Sequence, residues 1–197
     1  SEFGDRFRFI QDCFGEVAKY ITELVDGFVL DIGVSSMQID NAERGFSFRF
    51  DAPLDMRMDT RAVETVTDLI KNLSEKQLAD ILYEYGDITK SYRLANLLKE
   101  KLPTTTYELR DLVKNPNDVA PVFQALRIAV NDEMGQLKGA LDSVHNLLRS
   151  GGRCICVTFH SIEDRIVKNT FHNWTSVAGD PRLPTIGTQE YKLLKTR

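Results

Sequence analysis

Two short segments hold residue types that can do chemistry. One is Asp31-Ile32-Gly33-Val34-Ser35-Ser36, directly after the apolar run Phe28 to Leu30. The other is Phe159-His160-Ser161-Ile162-Glu163-Asp164, at the end of a second apolar run that starts at Arg153. A carboxylate such as Asp31 accepts N–H groups or a proton, and an imidazole such as His160 exchanges a proton near neutral pH. In an open α/β sheet, ligands bind outside the carboxyl ends of the strands, where both segments would fall. Every one of these residues also suits a plain structural role. Asp31 fits a helix N-cap or a loop acid, and Ser35 and Ser36 fit caps or turns. His160 fits a satisfied structural histidine. Glu163, Asp164 and Arg165 fit the first turn of a helix. Met56 and Met58 fit packing. The sequence holds no nucleophile elbow, P-loop or paired-glycine dinucleotide fingerprint. Taken alone, the residues specify an α/β ligand-binding domain with two polar strand-end clusters.

The elements that must position these clusters follow from periodicity. Arg6-Phe7-Arg8-Phe9-Ile10 alternates polar and apolar and predicts a strand. Residues 14–24 place Val17, Ile21 and Leu24 on one helical face. Phe28 to Leu30 then predicts a buried parallel strand ending at Asp31, which completes a βαβ unit. Residues 33–60 hold no period, yet their aromatics and methionines argue for an ordered functional loop. Residues 61–115 predict three helices. Ser74 with Gln77 caps the first, which ends at Gly86. Leu94, Leu97 and Leu98 stripe the second, which Pro103 stops. Thr106, Leu109, Leu112 and Val113 mark the third. Residues 117–148 predict a long helix with a break near Gly135 or Gly139, closed by Ser150-Gly151-Gly152. Arg153 to Phe159 predicts the second buried strand, and a helix then runs from His160 past Val167 and Phe171. The expected division is an α/β core over 1–59 and 117–197, with an inserted helical subdomain over 60–116.

The chain has 197 residues, of which 42% are hydrophobic and 27% charged, so it can bury a core and is not a disordered segment. No apolar run reaches the ~18 residues that a membrane span needs. The net charge of −4 argues against a general nucleic-acid coat. The charge is uneven, however: residues 149–197 carry 8 basic and 4 acidic side chains, and this basic quarter suits an anionic partner. Cys13, Cys154 and Cys156 do not make a disulfide framework, and a reducing, intracellular setting fits them best. Cys154 and Cys156 share one strand face as small core residues. No metal is expected, because clustered His and Cys ligands are missing.

Three motifs in order go further. The first is Asp31-Ile32-Gly33-Val34-Ser35-Ser36-Met37-Gln38-Ile39-Asp40, running into Glu43-Arg44-Gly45-Phe46-Ser47-Phe48 and Pro53-Leu54-Asp55-Met56-Arg57-Met58-Asp59. The second is Phe123-Gln124-Ala125-Leu126-Arg127-Ile128-Ala129-Val130-Asn131-Asp132-Glu133, and the third runs from Phe159 to Lys168. Together they resemble the RsmH/MraW family of ribosomal RNA methyltransferases over nearly the whole chain. The resemblance implies a class I Rossmann-like methyltransferase fold, α/β with an inserted helical subdomain, using S-adenosylmethionine as methyl donor. It implies methylation of the N4 amine of a cytosine in the decoding region of small-subunit ribosomal RNA. Its partner would be that RNA or the small ribosomal subunit, with no membrane. The oligomeric state stays open, a homodimer being one form. Bacterial members are cytoplasmic, and organellar relatives work in mitochondria. By the same resemblance Phe14, Asp31 and Gln38 contact the cofactor, and Asp31 and His160 are the catalytic candidates. The Phe46–Phe48 loop and the basic C-terminal quarter are expected to touch RNA.

The sequence also departs from the family pattern. The family's glycine-rich cofactor loop and the acid ending its second strand would lie before residue 1. Its basic carboxyl-terminal motif would lie past Arg197. Gly86-Asp87-Ile88 stands where the family has Gly-Glu-Glu, and Asp118-Val119-Ala120-Pro121-Val122 replaces a Pro-Ala-Thr-Arg stretch. The competing expectation is therefore a catalytically incomplete fragment that only binds RNA or a partner.

Overall fold

The computed structural model describes residues 4–175 and 191–194. Ser1-Glu2-Phe3 and the parts of the basic C-terminal quarter at 176–190 and 195–197 lie outside the described residues. The chain divides into two compact units, residues 1–32 with 134–197, and residues 33–133.

The first unit carries the sheet. Strand β1 is Val25–Asp31 and strand β2 is Leu148–Val157. They pair in parallel, with Phe28 opposite Cys154 and Asp31 opposite Val157. The fold is thus mixed α/β, as expected of a Rossmann-like methyltransferase. Several local expectations fail. Residues 7–10 are irregular after a 3-10 turn at Gly4–Arg6, so the alternation there makes no strand. Phe7 and Phe9 are exposed, and alternation without a face to bury does not hold a strand. The expected helix over 14–24 is a 3-10 helix at Phe14–Lys19 only. β2 starts earlier than expected and stops before Thr158, which leaves Phe159 and His160 beyond it. Neither strand is buried on both faces. Leu30 and Cys156 point inward, whereas Val29, Ile155 and Val157 are exposed.

Helix α7 (Glu133–Leu147) and helix α8 (Ser161–Thr175) give that inward face its cover. Leu137 and Leu141, one turn apart on α7, pack with Ile32 and Val167, and Phe171 and Trp174 flank them. Gly139 does not break α7. A Cβ there would stand 3.1 Å from the Gly15 carbonyl oxygen, and one on Gly15 would stand 2.9 Å from Gln136 Cα. The two glycines let the 3-10 helix lie directly on α7, where Gln136 Oε1 accepts the Gly15 N–H. The break that precedes α7 is at Asp132, whose φ is 46°. An acid tolerates the left-handed region by bonding locally, so no glycine was needed.

The second unit is helical. Its helices are α1 (Ser36–Asp40), α2 (Val66–Asn72), α3 (Glu75–Gly86), α4 (Ser91–Lys101), α5 (Thr106–Leu112) and α6 (Val119–Val130). Residues 60–116 lie inside it, and Leu54, Met56 and α6 complete the same core. The capping box at Ser74 and Gln77 is present, and Thr65 with Asp68 and Thr105 with Glu108 form two more. The box at Thr65 starts α2, a fourth helix in the segment where three were expected. Lys99 Nζ meets the carbonyls of Ile70, Lys71 and Leu73 and so satisfies the end of α2. α3 includes Gly86, and the left-handed cap falls on Asp87 at φ 51°. Gly86 serves instead for close approach, since a Cβ there would meet Pro121 O at 3.0 Å.

Candidate functional site

The register of the sheet sets the geometry. Asp31 is the last residue of β1 and sits opposite Val157, the last of β2. Both strands therefore end together, and the chain leaves β2 through Thr158 and Phe159 to His160. Asp31 is exposed, and its carboxylate has no hydrogen-bond or ion-pair partner among the described residues. A carboxylate in that state is free to accept N–H groups from a ligand.

His160 is placed differently. Glu163 Oε2 accepts the backbone N–H of Phe159 at 2.8 Å and of His160 at 3.3 Å. In return His160 Nδ1 accepts the Glu163 N–H at 3.4 Å. This is the reciprocal pattern of a capping box, with His160 in the cap position of α8 and Glu163 three residues on. His160 Nε2 stands 3.0 Å from Glu163 Oε1 but off hydrogen-bond geometry. The Glu163 side chain is almost fully buried. Burial alone would raise its carboxyl, but the imidazole and the two N–H groups outweigh that and hold it below the usual 4.5. Glu163 lies in the first turn of α8, as the plainer alternative had it, and it also caps the helix. The His-x-x-Glu spacing, the same as that of Ser74 and Gln77, is the signal for this second role.

Of the remaining expected site residues, Phe14 opens the 3-10 helix of the sheet-bearing unit and its ring is partly exposed. Gln38 belongs to the helical unit. Its Oε1 accepts the Ser35 N–H at 2.8 Å while Ser35 Oγ accepts the Gln38 N–H at 3.3 Å. Ser35 is thus a cap, and the Gln38 amide NH2 is left to donate elsewhere. The structure brings Asp31 and His160 to one end of one sheet and describes Gln38 in the other unit. Met56 is buried packing, as the plainer alternative had it.

The long loop is ordered by a polar pin that spacing did not reveal. Asn131 Nδ2 donates to Met56 O at 2.8 Å, and its Oδ1 accepts the Met58 N–H at 2.6 Å. Arg44 donates to the carbonyls of Arg57 and Met58 and lies 5.6 Å from the Phe46 ring centroid. Phe46 is therefore packed, and Phe48 stands edge-on to Phe123 at 5.3 Å. Phe50, just beyond, is the more exposed ring. Cys13, Cys154 and Cys156 are free thiols. Burial pushes Cys154 and Cys156 up to about 11, which makes them poor nucleophiles. No helix among the described residues is long and apolar enough to cross a membrane.

The family model described as the MraW methylase family matches residues 1–196. The chain belongs to the MraW methylase family. It is similar to proteins named ribosomal RNA small subunit methyltransferase H. It is 44% identical to the one from Geobacter sulfurreducens over 91% of this chain and 64% of that protein. It is 46% identical to the one from Rhodospirillum rubrum over 85% of this chain and 56% of that protein. The chain thus spans somewhat under two thirds of the length of these relatives. The strand ends of this MraW family member carry its two motif clusters, Asp31 onward and Phe159 onward.

Proposed function

We propose that this member of the MraW methylase family takes part in methylating small-subunit ribosomal RNA, at the N4 amine of a cytosine in the decoding region. The observation that carries it is the exposed Asp31, without a hydrogen-bond or ion-pair partner among the described residues, at the shared carboxyl end of two parallel strands. The names of the relatives add the substrate class. S-adenosylmethionine would supply an electrophilic methyl group on sulfur. In the sheet-bearing unit the residues fit that molecule: Phe14 offers a partly exposed ring for a base, and Asp31 an acceptor with no partner among the described residues.

The amine lone pair of cytosine is delocalised into the ring and is a weak nucleophile. Asp31 accepts an N–H of that amine and turns the lone pair toward the methyl group. Orientation and electrostatics then provide most of the rate. The methylated amine loses its proton to Asp31, to His160 or to water. Asp31 is the favoured acceptor, because both His160 ring nitrogens face Glu163. The target base must leave its stack or be presented unpaired. The Phe48–Phe50 side of the loop and the basic C-terminal quarter make the RNA contacts. The setting is the cytoplasm of a bacterium, or the mitochondrion for an organellar relative.

Asp31→Ala should lower methyl transfer to small subunits by about 10²–10⁴-fold while far-ultraviolet circular dichroism stays unchanged. Full activity of that variant would remove Asp31 from the mechanism. Calorimetric titration of S-adenosylmethionine into the chain separates a cofactor-binding enzyme from a domain that only binds RNA.

A further inference from the structure

The helical unit holds a cavity of about 290 Å³ that the proposed chemistry does not use. Ile88, Leu94, Leu97 and Val113 give it an apolar floor. Lys90, Arg93 and Lys114 stand at its rim and are exposed. None of the three is in an ion pair among the described residues, although nearby Lys76, Lys101 and Arg110 each have an acid. The acid that lines the cavity, Asp118, accepts from Asn115 Nδ2 at 2.9 Å.

The start of α4 adds to this charge. α1, α2, α3 and α5 in the same unit all begin with a capping box. α4 begins at Lys90 with no side-chain cap, as α6 does at Asp118, but α4 has no acid at its start and carries Arg93 in its first turn. Cations at the positive end of a helix oppose the helix dipole, so folding alone does not favour them. Three uncompensated cations around an apolar cleft complement a ligand with a flat apolar body and a phosphate. The volume is near the lower end of ligand pockets, about 300–1,000 Å³, and suits one nucleotide rather than two.

We infer that this cavity holds one nucleotide, its base on the Leu94–Leu97 floor and its phosphate among Lys90, Arg93 and Lys114. The source is a single RNA strand or a free nucleotide. The RNA source deepens the methyltransferase function proposed above, with a contact outside the strand-end site.

The test is fluorescence anisotropy of labelled octauridylate titrated into the full chain, with no methyl transfer needed. The Arg93→Glu/Lys114→Glu double variant should raise Kd at least tenfold. Its slope of log K against log salt should be shallower by about 1.4, two phosphate contacts at about 0.7 each. Uridine 5′-monophosphate should compete at least tenfold better than uridine if free nucleotides enter. If neither competes, the double-variant effect assigns the site to the strand. Octauridylate carrying 4-thiouridine should crosslink in the parent chain to residues 88–97 or 112–118. An unchanged Kd in the double variant, crosslinks confined to other segments, or competition by hexaglutamate equal to that of uridine 5′-monophosphate would each overturn the proposal. Full methylation by Asp31→Ala beside loss of octauridylate binding in the double variant would sink the catalytic role of Asp31 and leave the cavity standing.

Discussion

In the helical unit Val66, Ile70, Leu78, Leu82 and Leu98 are wholly buried, and four of its helices start with reciprocal caps. In the sheet-bearing unit Val29, Ile155 and Val157 are 72%, 54% and 42% exposed on one face of a two-stranded sheet. One unit spends its apolar residues on a closed core. The other closes one sheet face and leaves Asp31 exposed at the strand ends. Packing and exposure are thus divided along the chain, and the less packed unit is the one with lower local stability. α4 breaks the division, being the helix of the closed unit that begins with cations instead of a cap.

The largest effect tests the closed core. Leu82 is fully buried on α3, which packs on α4 and α6, so Leu82→Ala should cost about 2–5 kcal/mol. Hydrogen exchange should show the loss across α2 to α6. A loss below about 1 kcal/mol would mean that the core is looser than its burial indicates.

The next effect tests the cap of α8. Glu163→Gln keeps the shape but loses the charge, and should cost about 1–3 kcal/mol at neutral pH. The sign of its pH dependence follows from the carboxyl held below 4.5 in the folded chain. Its stabilisation is present above 4.5 and is lost as pH falls through the lower folded value. Melting curves of the parent and Glu163→Gln should therefore converge in acid. A gap that stays constant with pH would assign the effect to packing.

These two sites also show what the sequence disclosed. Leu78, Ile81 and Leu82 recur at helical spacing after a capping box, so α3 was readable from periodicity. β1 and Asp31 were readable because an apolar run ended abruptly at an acid. The strand expected at residues 6–10 failed because alternation records a pattern and not the partner that would bury it. The Gly139 break failed because a glycine can mark close approach as well as a turn. The Asn131 pin and the rim of the helical cavity join residues far apart in the chain, and periodicity does not carry that information.

Lys90→Asp tests the cationic start of α4. An acid at this position accepts from the first-turn N–H groups and meets the positive helix end, so it should stabilise by about 0.5–1 kcal/mol. A higher melting temperature together with weaker octauridylate binding would show stability exchanged for a ligand contact. An unchanged melting temperature would mean that the backbone at Lys90, with ψ of 37°, does not present a capping side chain.

The smallest effect bears on the open face. Val29→Thr keeps the branched shape that suits a strand and replaces a methyl with a hydroxyl. At a position 72% exposed, the hydroxyl stays in water and the change should fall within about 0.5 kcal/mol. The same substitution under a packed surface would strand the hydroxyl and cost about 1–3 kcal/mol. Denaturant unfolding of Val29→Thr thus reads directly whether the outer face of β1 and β2 meets solvent. A cost in the higher range would show that this face is covered in solution, and the contrast between a closed and an open unit would then reduce to the strand ends, where Asp31 still stands exposed beside the end of β2.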